Sequence, residues 1–161
     1  MKRLVIILLA LSLAAPLYAA DDMAARLNAV LVKAAAEGNW QVKAADLAQW
    51  IKEGRKDFQV VDVRANPQEY QAGHIPGAIF IPYNTILQPE NLAKLPKDRT
   101  LVLVCVTGQT QNLPIVALRA LGYDARTLSF GHASWIKGYF GGQLMQGAIA
   151  GAASGNYPLE K

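Results

Sequence analysis

The sequence predicts an α/β fold, a central parallel sheet with helices on both faces, and three observations lead there. Short β-rich runs alternate with helical segments along the chain, the pattern of successive βαβ units. One run, Thr100–Val104, is apolar after its first residue, as in a strand covered on both sides. Once a leader is set aside, about 140 residues remain, enough for one core and too few for two ordinary ones.

The leader is read from Lys2 and Arg3, the apolar run from Leu4 to Ala15, and then Pro16, Leu17, Tyr18, Ala19 and Ala20. This is the layout of a secretory signal peptide, with about a dozen apolar residues where a membrane-crossing helix needs about 20. Ala19 and Ala20 are alternative last residues of the leader, and a retained anchor is the competing reading. No cysteine lies near the cut, so a lipid-anchored terminus is not indicated. Residues 1–20 are expected to be removed, leaving an exported, periplasmic protein with no membrane anchor. The chain has 16 Lys and Arg against 12 Asp and Glu; without Lys2 and Arg3 the balance is nearly even, which argues against a nucleic-acid partner.

Residues 21–39 form a helical extension. Met23, Leu27, Val30, Leu31 and Ala34 recur at helical spacing from Asp21 to Glu37, and Gly38 stops the helix. A short extended piece covers Trp40 to Val42, and a second helix, Ala45 to Lys52, carries Leu47, Trp50 and Ile51 on one side and closes at Gly54. Phe58 to Val63 is a strand of β-formers. A turn-rich stretch with a helical turn near Gln68 to Gln71 leads to a short strand at Ala78 to Ile81, a short helix around Leu92, and the strand Thr100–Val104. After Cys105, Leu113 to Leu121 is helical and ends at Gly122; Ala125 to Leu128 is a strand and Ala133 to Lys137 a final helical turn. Residues 141–161 make a tail interrupted by Gly141, Gly142, Gly147, Gly151 and Gly155, read alternatively as a flexible terminus, a wrap or a docking element.

In parallel α/β sheets the ligand crevice lies beyond the carboxyl ends of the strands, and Cys105 stands at that end of the most apolar strand. It is the only cysteine, so it staples nothing, and in an oxidising compartment it is either inert and buried or a reactive thiol. The segment Val106, Thr107, Gly108, Gln109, Thr110, Gln111 runs from this strand towards a helix. Loop amides and a helix N-terminus there favour an anion and the thiolate, and Gly108 gives the freedom a tight cradle needs. With a helix starting at Gln111, Pro114 falls in its first turn, where a missing N–H costs little. The competing reading is a small apolar residue capping a buried strand.

Asp62, Val63 and Arg64, then Glu69 and Tyr70, then Gly73, His74, Ile75, Pro76, Gly77 and Ala78 resemble the signature of the rhodanese-like family. In that signature Asp-Val-Arg ends one strand and Gly-His-Ile-Pro-Gly-Ala opens the next. Gly122, Tyr123, Leu128, Phe130, Gly131 and Trp135 resemble its closing segment, and the likeness extends from about Val42 to Tyr139, with residues 40–140 as the domain. The resemblance implies a rhodanese fold and a sulfurtransferase. Cys105 would take a sulfane sulfur from thiosulfate or a persulfide and pass it to a thiol, protein or cyanide acceptor. Val106 to Gln111 would bind donor and persulfide, and no metal or organic cofactor would be needed. It also implies that Asp62 and Arg64 brace the cysteine loop, the alternative being that they pair only with each other.

His74 is expected to orient its turn rather than bind metal, since no second ligand stands at the right spacing, and His132 reads as a surface loop residue. A cysteine phosphatase would place an arginine at the loop's end to clamp phosphate; Gln111 stands there instead, and the interval from Cys105 to Gly122 resembles the shorter, sulfur-transferring loop. The loop holds no cation, leaving only Arg64 nearby, so thiosulfate is expected to be a weak donor and a persulfide a better one. Two competing functions share the scaffold: a non-catalytic binding or accessory module, suggested by the cation-free loop and the tail, and a thiol redox sensor.

Overall fold

The computed structural model describes residues 22–155 and 157–160; the expected signal peptide lies outside them. The chain divides into two compact units, Met1–Asn39 and Trp40–Lys161. In the first, helix α1 spans residues 22–31 and gives way to turns over 32–37, earlier than the expected end at Glu37. From there the bonds shorten to three-residue steps, as in Ala34 N–H to Leu31 C=O at 3.0 Å.

The second unit is a five-stranded sheet in the order β1-β5-β4-β2-β3, parallel throughout. Its strands are β1 (Gln41–Val42), β2 (Phe58–Asp62), β3 (Ile79–Phe80), β4 (Thr100–Val104) and β5 (Ala125–Leu128). The helices are α2 (Ala44–Lys52), α3 (Pro67–Ala72), α4 (Pro89–Leu92), α5 (Ile115–Ala120) and α6 (Phe140–Gly155). Local chemistry accounts for several boundaries. Asn66 caps α3 by accepting from Gln68 N–H at 3.0 Å, with Pro67 in the first turn, where its missing donor costs little. Gly54 takes φ +67° just past α2, the left-handed exit that glycine tolerates best.

β4 lies in the middle, registered to β2 (Asp62 opposite Val104) and to β5 (Leu103 opposite Thr127). Leu101, Val102, Leu103 and Val104 are all fully buried, so this strand is covered on both faces, as its composition predicts. Val102 and Val104 join Val42, Leu47, Val60, Ile75, Ala78 and Leu128 in the core of one face, where Trp50, Ile51 and Tyr70 pack against it. Leu101 and Leu103 point to the other face by the two-residue period of a strand.

Three segments differ from expectation or sharpen it. The helix after the cysteine is split into a 3₁₀ turn, Thr110–Asn112, and α5, with Pro114 at the junction. Proline has no N–H to continue the ladder, so α5 starts only at Ile115 and is six residues long. The final turn is 3₁₀, Gly131–Ser134, rather than Ala133 to Lys137. The glycine-interrupted tail is also not loose: α6 runs through Gly141, Gly142, Gly147 and Gly151, although each interior glycine costs about 1 kcal/mol relative to alanine.

Leu103 sits at the centre of this arrangement. Leu103→Ala is expected to lower unfolding free energy by about 2–5 kcal/mol, read as a lower denaturant midpoint at unchanged slope; a loss under 1 kcal/mol would contradict the packing described.

Candidate functional site

The site begins where β4 ends. Val63 N–H donates to Val104 C=O at 2.9 Å, so β2 accompanies β4 up to Cys105. The Cys105 N–H then donates to Gln111 Oε1 at 2.8 Å, and Gln111 Nε2 donates to Leu128 C=O at 2.6 Å. One buried carboxamide therefore closes the loop on itself and ties it to the end of β5. Gln111, expected to bind substrate, spends its side chain inside the protein.

A second loop, from Phe130 to Ala133, grips the cysteine loop from the other side. Cys105 C=O accepts from His132 N–H at 2.8 Å and from His132 Nδ1 at 3.1 Å, and Val106 C=O accepts from Ala133 N–H at 3.0 Å. Glycines allow the approach. A Cβ on Gly108 would lie 2.9 Å from the Phe130 backbone, and one on Gly131 would strike the Cys105 carbonyl and come within 2.8 Å of Gly108 N. Both take positive φ, +86° and +56°, where side chains other than glycine's are strained.

His132 is fully buried, which corrects its reading as a surface residue. The pair Phe130 and Gly131, both left-handed, turns the chain back and carries the imidazole under the cysteine carbonyl. A carbonyl only accepts, so Nδ1 carries the hydrogen. Nε2 faces Asp62 Oδ2 at 3.7 Å without a hydrogen bond. Burial first, and then the Arg64 charge with a smaller push from His74, hold the His132 pKa below its usual 6.5, against the opposing pull of Asp62 and the Cys105 carbonyl. The ring is thus held neutral in the fold.

Asp62 and Arg64 form a buried two-pronged pair, Nη2 to Oδ2 at 2.6 Å and Nε to Oδ1 at 3.0 Å. Arg64 Nη2 also donates to Gly73 C=O at 2.7 Å, and Nη1 reaches Tyr139 Oη at 3.4 Å. These contacts correct the idea that Arg64 might attract an anion to the loop: its charge is already consumed beneath the sheet edge. Asp62 reaches the cysteine loop only across the His132 ring. His74 is exposed, and both its hydrogen bond (Nδ1 to Tyr70 C=O, 3.0 Å) and its ring stacking (3.9 Å) are with Tyr70.

Cys105 is only 2% exposed, whereas an open thiol in a ring of amides was expected. The reason lies in the double clamp, which draws its N–H and C=O inward. Beyond it the loop rises: Val106, Thr107 and Gly108 are half-buried, and Gln109 and Thr110 are exposed. Among the described residues, no protein acceptor takes the N–H groups of Val106, Thr107, Gly108 or Gln109, although half-buried backbone donors are normally paired. Since α5 is short and starts at Ile115, an anion at this loop would meet these amides and not a helix dipole. Among the described residues no group of three or more His, Cys, Asp or Glu is placed to hold a metal, and no helix is long and apolar enough to cross a membrane.

Sequence reasoning missed His132 as part of the site. The available signal was a histidine placed just after β5, at the same carboxyl edge of the sheet as Cys105. It also missed Tyr139, whose hydroxyl meets Arg64 and whose ring lies 5.8 Å from that of His132.

The family described as "Rhodanese-like domain" matches residues 43–137. A probable adenylyltransferase/sulfurtransferase, MoeZ, of Mycobacterium tuberculosis is 40% identical over 104 residues, covering 64% of this chain and 26% of that protein. The chain thus spans about a quarter of that relative. Among solved structures, a rhodanese-like domain protein from Staphylococcus aureus superposes with a TM-score of 0.54 at 32% identity, covering 61% of this chain and 93% of the other. A rhodanese-related protein from Thermoplasma volcanium gives 0.52 at 30%, covering 62% and 93%.

The neutral, buried His132 predicts a pH dependence of stability. Below pH 6.5 the unfolded chain binds a proton that the folded ring refuses, so stability should fall as pH drops from 6.5 towards the lowered folded value, and this contribution should be level above 6.5. Urea midpoints measured from pH 7.5 to 5 should show this fall, and His132→Asn should flatten it; equal slopes in the two proteins would refute the assignment.

Proposed function

Because this chain belongs to the rhodanese-like domain family, we propose that it is a sulfurtransferase that carries a sulfane sulfur on Cys105 as a persulfide and hands it to a thiol, a protein or cyanide. One observation carries the reading. Cys105 opens a run of four backbone N–H groups that no protein acceptor claims, at the carboxyl edge where parallel sheets bind ligands. The sulfurtransferase relative described above supports the same kind of chemistry.

In the first half-reaction the Cys105 thiolate attacks the outer sulfur of a donor persulfide. A bond forms between the two sulfurs, the donor's own S–S bond breaks, and its electron pair leaves on the donor thiolate. In the second, an acceptor thiolate attacks the outer sulfur of the Cys105 persulfide and returns the electron pair to Cys105. Both steps gather negative charge at the loop, where main-chain donors stabilise it. Thiosulfate would react in the same way and release sulfite. With no cation in the loop and Arg64 sealed against Asp62, a persulfide is the better donor and the doubly charged thiosulfate the poorer one. The Lys2, Arg3 and Leu4 to Ala15 leader supports placing this chemistry in a periplasm, with no membrane anchor after cleavage.

The burial of Cys105 favours a second reading, a scaffold that binds a partner without transferring sulfur. Mass spectrometry separates the two. Protein treated with polysulfide or a low-molecular-weight persulfide should gain one sulfur atom, with less gain from thiosulfate and none in Cys105→Ser. No adduct from any donor would overturn the sulfurtransferase reading.

A further inference from the structure

Beside the cysteine loop lies a cavity of about 330 Å³, whose lining includes Phe130, Ala133, Ser134, Met145, Gln146 and Ile149. Its walls are tied to the residue after the cysteine. Ala133 N–H donates to Val106 C=O, and α6 approaches so closely at Gly141 that a Cβ there would lie 2.9 Å from Val106 Cγ1 and 3.1 Å from Val106 O. The cavity's walls therefore adjoin Val106, the first residue of the amide run.

Phe130 is the unusual element. It sits at φ 62°, ψ 11°, a conformation costing about 1–2 kcal/mol for a residue with a Cβ, where glycine or asparagine would relieve the strain. The residue is nevertheless 61% exposed, so folding gains little from it. Gly108, pressed on the Phe130 backbone, holds it there. The left-handed turn itself serves to place His132, but the choice of an exposed aromatic there, at the mouth of a cavity, is explained by a ligand better than by the core. The rest of the lining agrees: the Ser134 hydroxyl is already spent on Ser129 and Gly131 carbonyls, Met145 is adaptable, and Ile149 is 68% exposed.

We infer that this cavity binds the apolar body of a small thiol or its persulfide, placing its sulfur against the Cys105 loop. The inference rests on the sulfur-transfer reading for its chemistry. The occupant follows from charge and size. The cavity has no charged lining residue, so a carboxylate or sulfonate finds no ion pair within it. About 330 Å³ lies at the lower end of the range for small-molecule sites, suited to one aryl or branched alkyl group. The thiolate of such an acceptor attacks the outer sulfur of the Cys105 persulfide; the S–S bond to Cys105 breaks, and its electron pair remains on the Cys105 sulfur.

The test has a transfer arm and a binding arm. Protein loaded with polysulfide is offered phenylmethanethiol or 2-mercaptoethanesulfonate, and kcat/KM should favour the former by about tenfold or more, a ratio that burial of one apolar group supplies. Ile149→Asn and Met145→Gln should lower that ratio about tenfold. Ile149 is exposed, so its variant leaves the core intact, and an unchanged unfolding curve checks this. In the second arm, benzyl methyl sulfide, which cannot accept sulfur, is titrated into unloaded protein by NMR; it should shift Ala133 and Ile149 signals in wild type and bind about tenfold more weakly in Ile149→Asn. Persulfide formation with neither acceptor preference nor sulfide binding overturns the cavity inference and leaves the sulfurtransferase reading standing. Sulfide binding without any persulfide overturns that reading and leaves the cavity as an apolar ligand site.

Discussion

The carbonyl of Cys105 receives two hydrogens from one residue, the main-chain N–H and the ring Nδ1 of His132. Each such bond contributes about 1 kcal/mol net, but position matters more than sum. The bonds turn the Cys105 carbonyl away from the outer face of the loop, and the Gln111 carboxamide does the same for its N–H. With both backbone groups of the cysteine bound from within, the chain after Val104 must climb outward through Val106, Thr107 and Gly108. That climb leaves a series of donors without partners. The buried Asp62–Arg64 pair lies on the far side of the imidazole, 3.7 Å from Nε2 without a hydrogen bond, while the cysteine carbonyl holds the ring at Nδ1. Such a pair adds little net stability, yet removing one partner strands a charge in the interior.

Electrostatically, the outcome is a neutral pocket edge. Guanidinium and carboxylate cancel below, the imidazole is uncharged, and the loop side chains Thr107, Gln109 and Thr110 carry no charge. Attraction for negative charge is left to peptide dipoles, which act at short range and reward a charge that develops in place over one that arrives from far away. Under the sulfur transfer proposed above, this would set the site apart from anion binders that recruit substrate by long-range steering and would suit an apolar approach surface beside the loop.

Much of this was legible in the sequence, and the parts that were not share one cause. β4 and β5 begin and end where Thr100–Val104 and Ala125–Leu128 predicted; for β4 an apolar β-rich run between Arg99 and Cys105 leaves little freedom. The Asp62-Val63-Arg64 and Gly73-to-Ala78 motifs located the sheet edge that carries the site. The helix after Cys105 was overextended because Pro114 was given a place in a first turn, whereas it interrupts the ladder. The roles of His132 and Gln111 depend on contacts 27 and 17 residues away in the chain. A side chain's partner at that distance is set by how two loops interlock, which no local periodicity encodes. The burial of Cys105 belongs with them, since it results from the same interlocking.

The two outermost strands, β1 and β3, are each two residues long. A sheet whose borders are this brief offers a passing polypeptide almost no rung to extend, so ladder-on-ladder stacking between molecules has nowhere to nucleate. The long, apolar β4, the segment best suited to cross-β association, is screened by a neighbour on either side. Protection against edge-to-edge pairing in this fold is therefore a property of its sheet order.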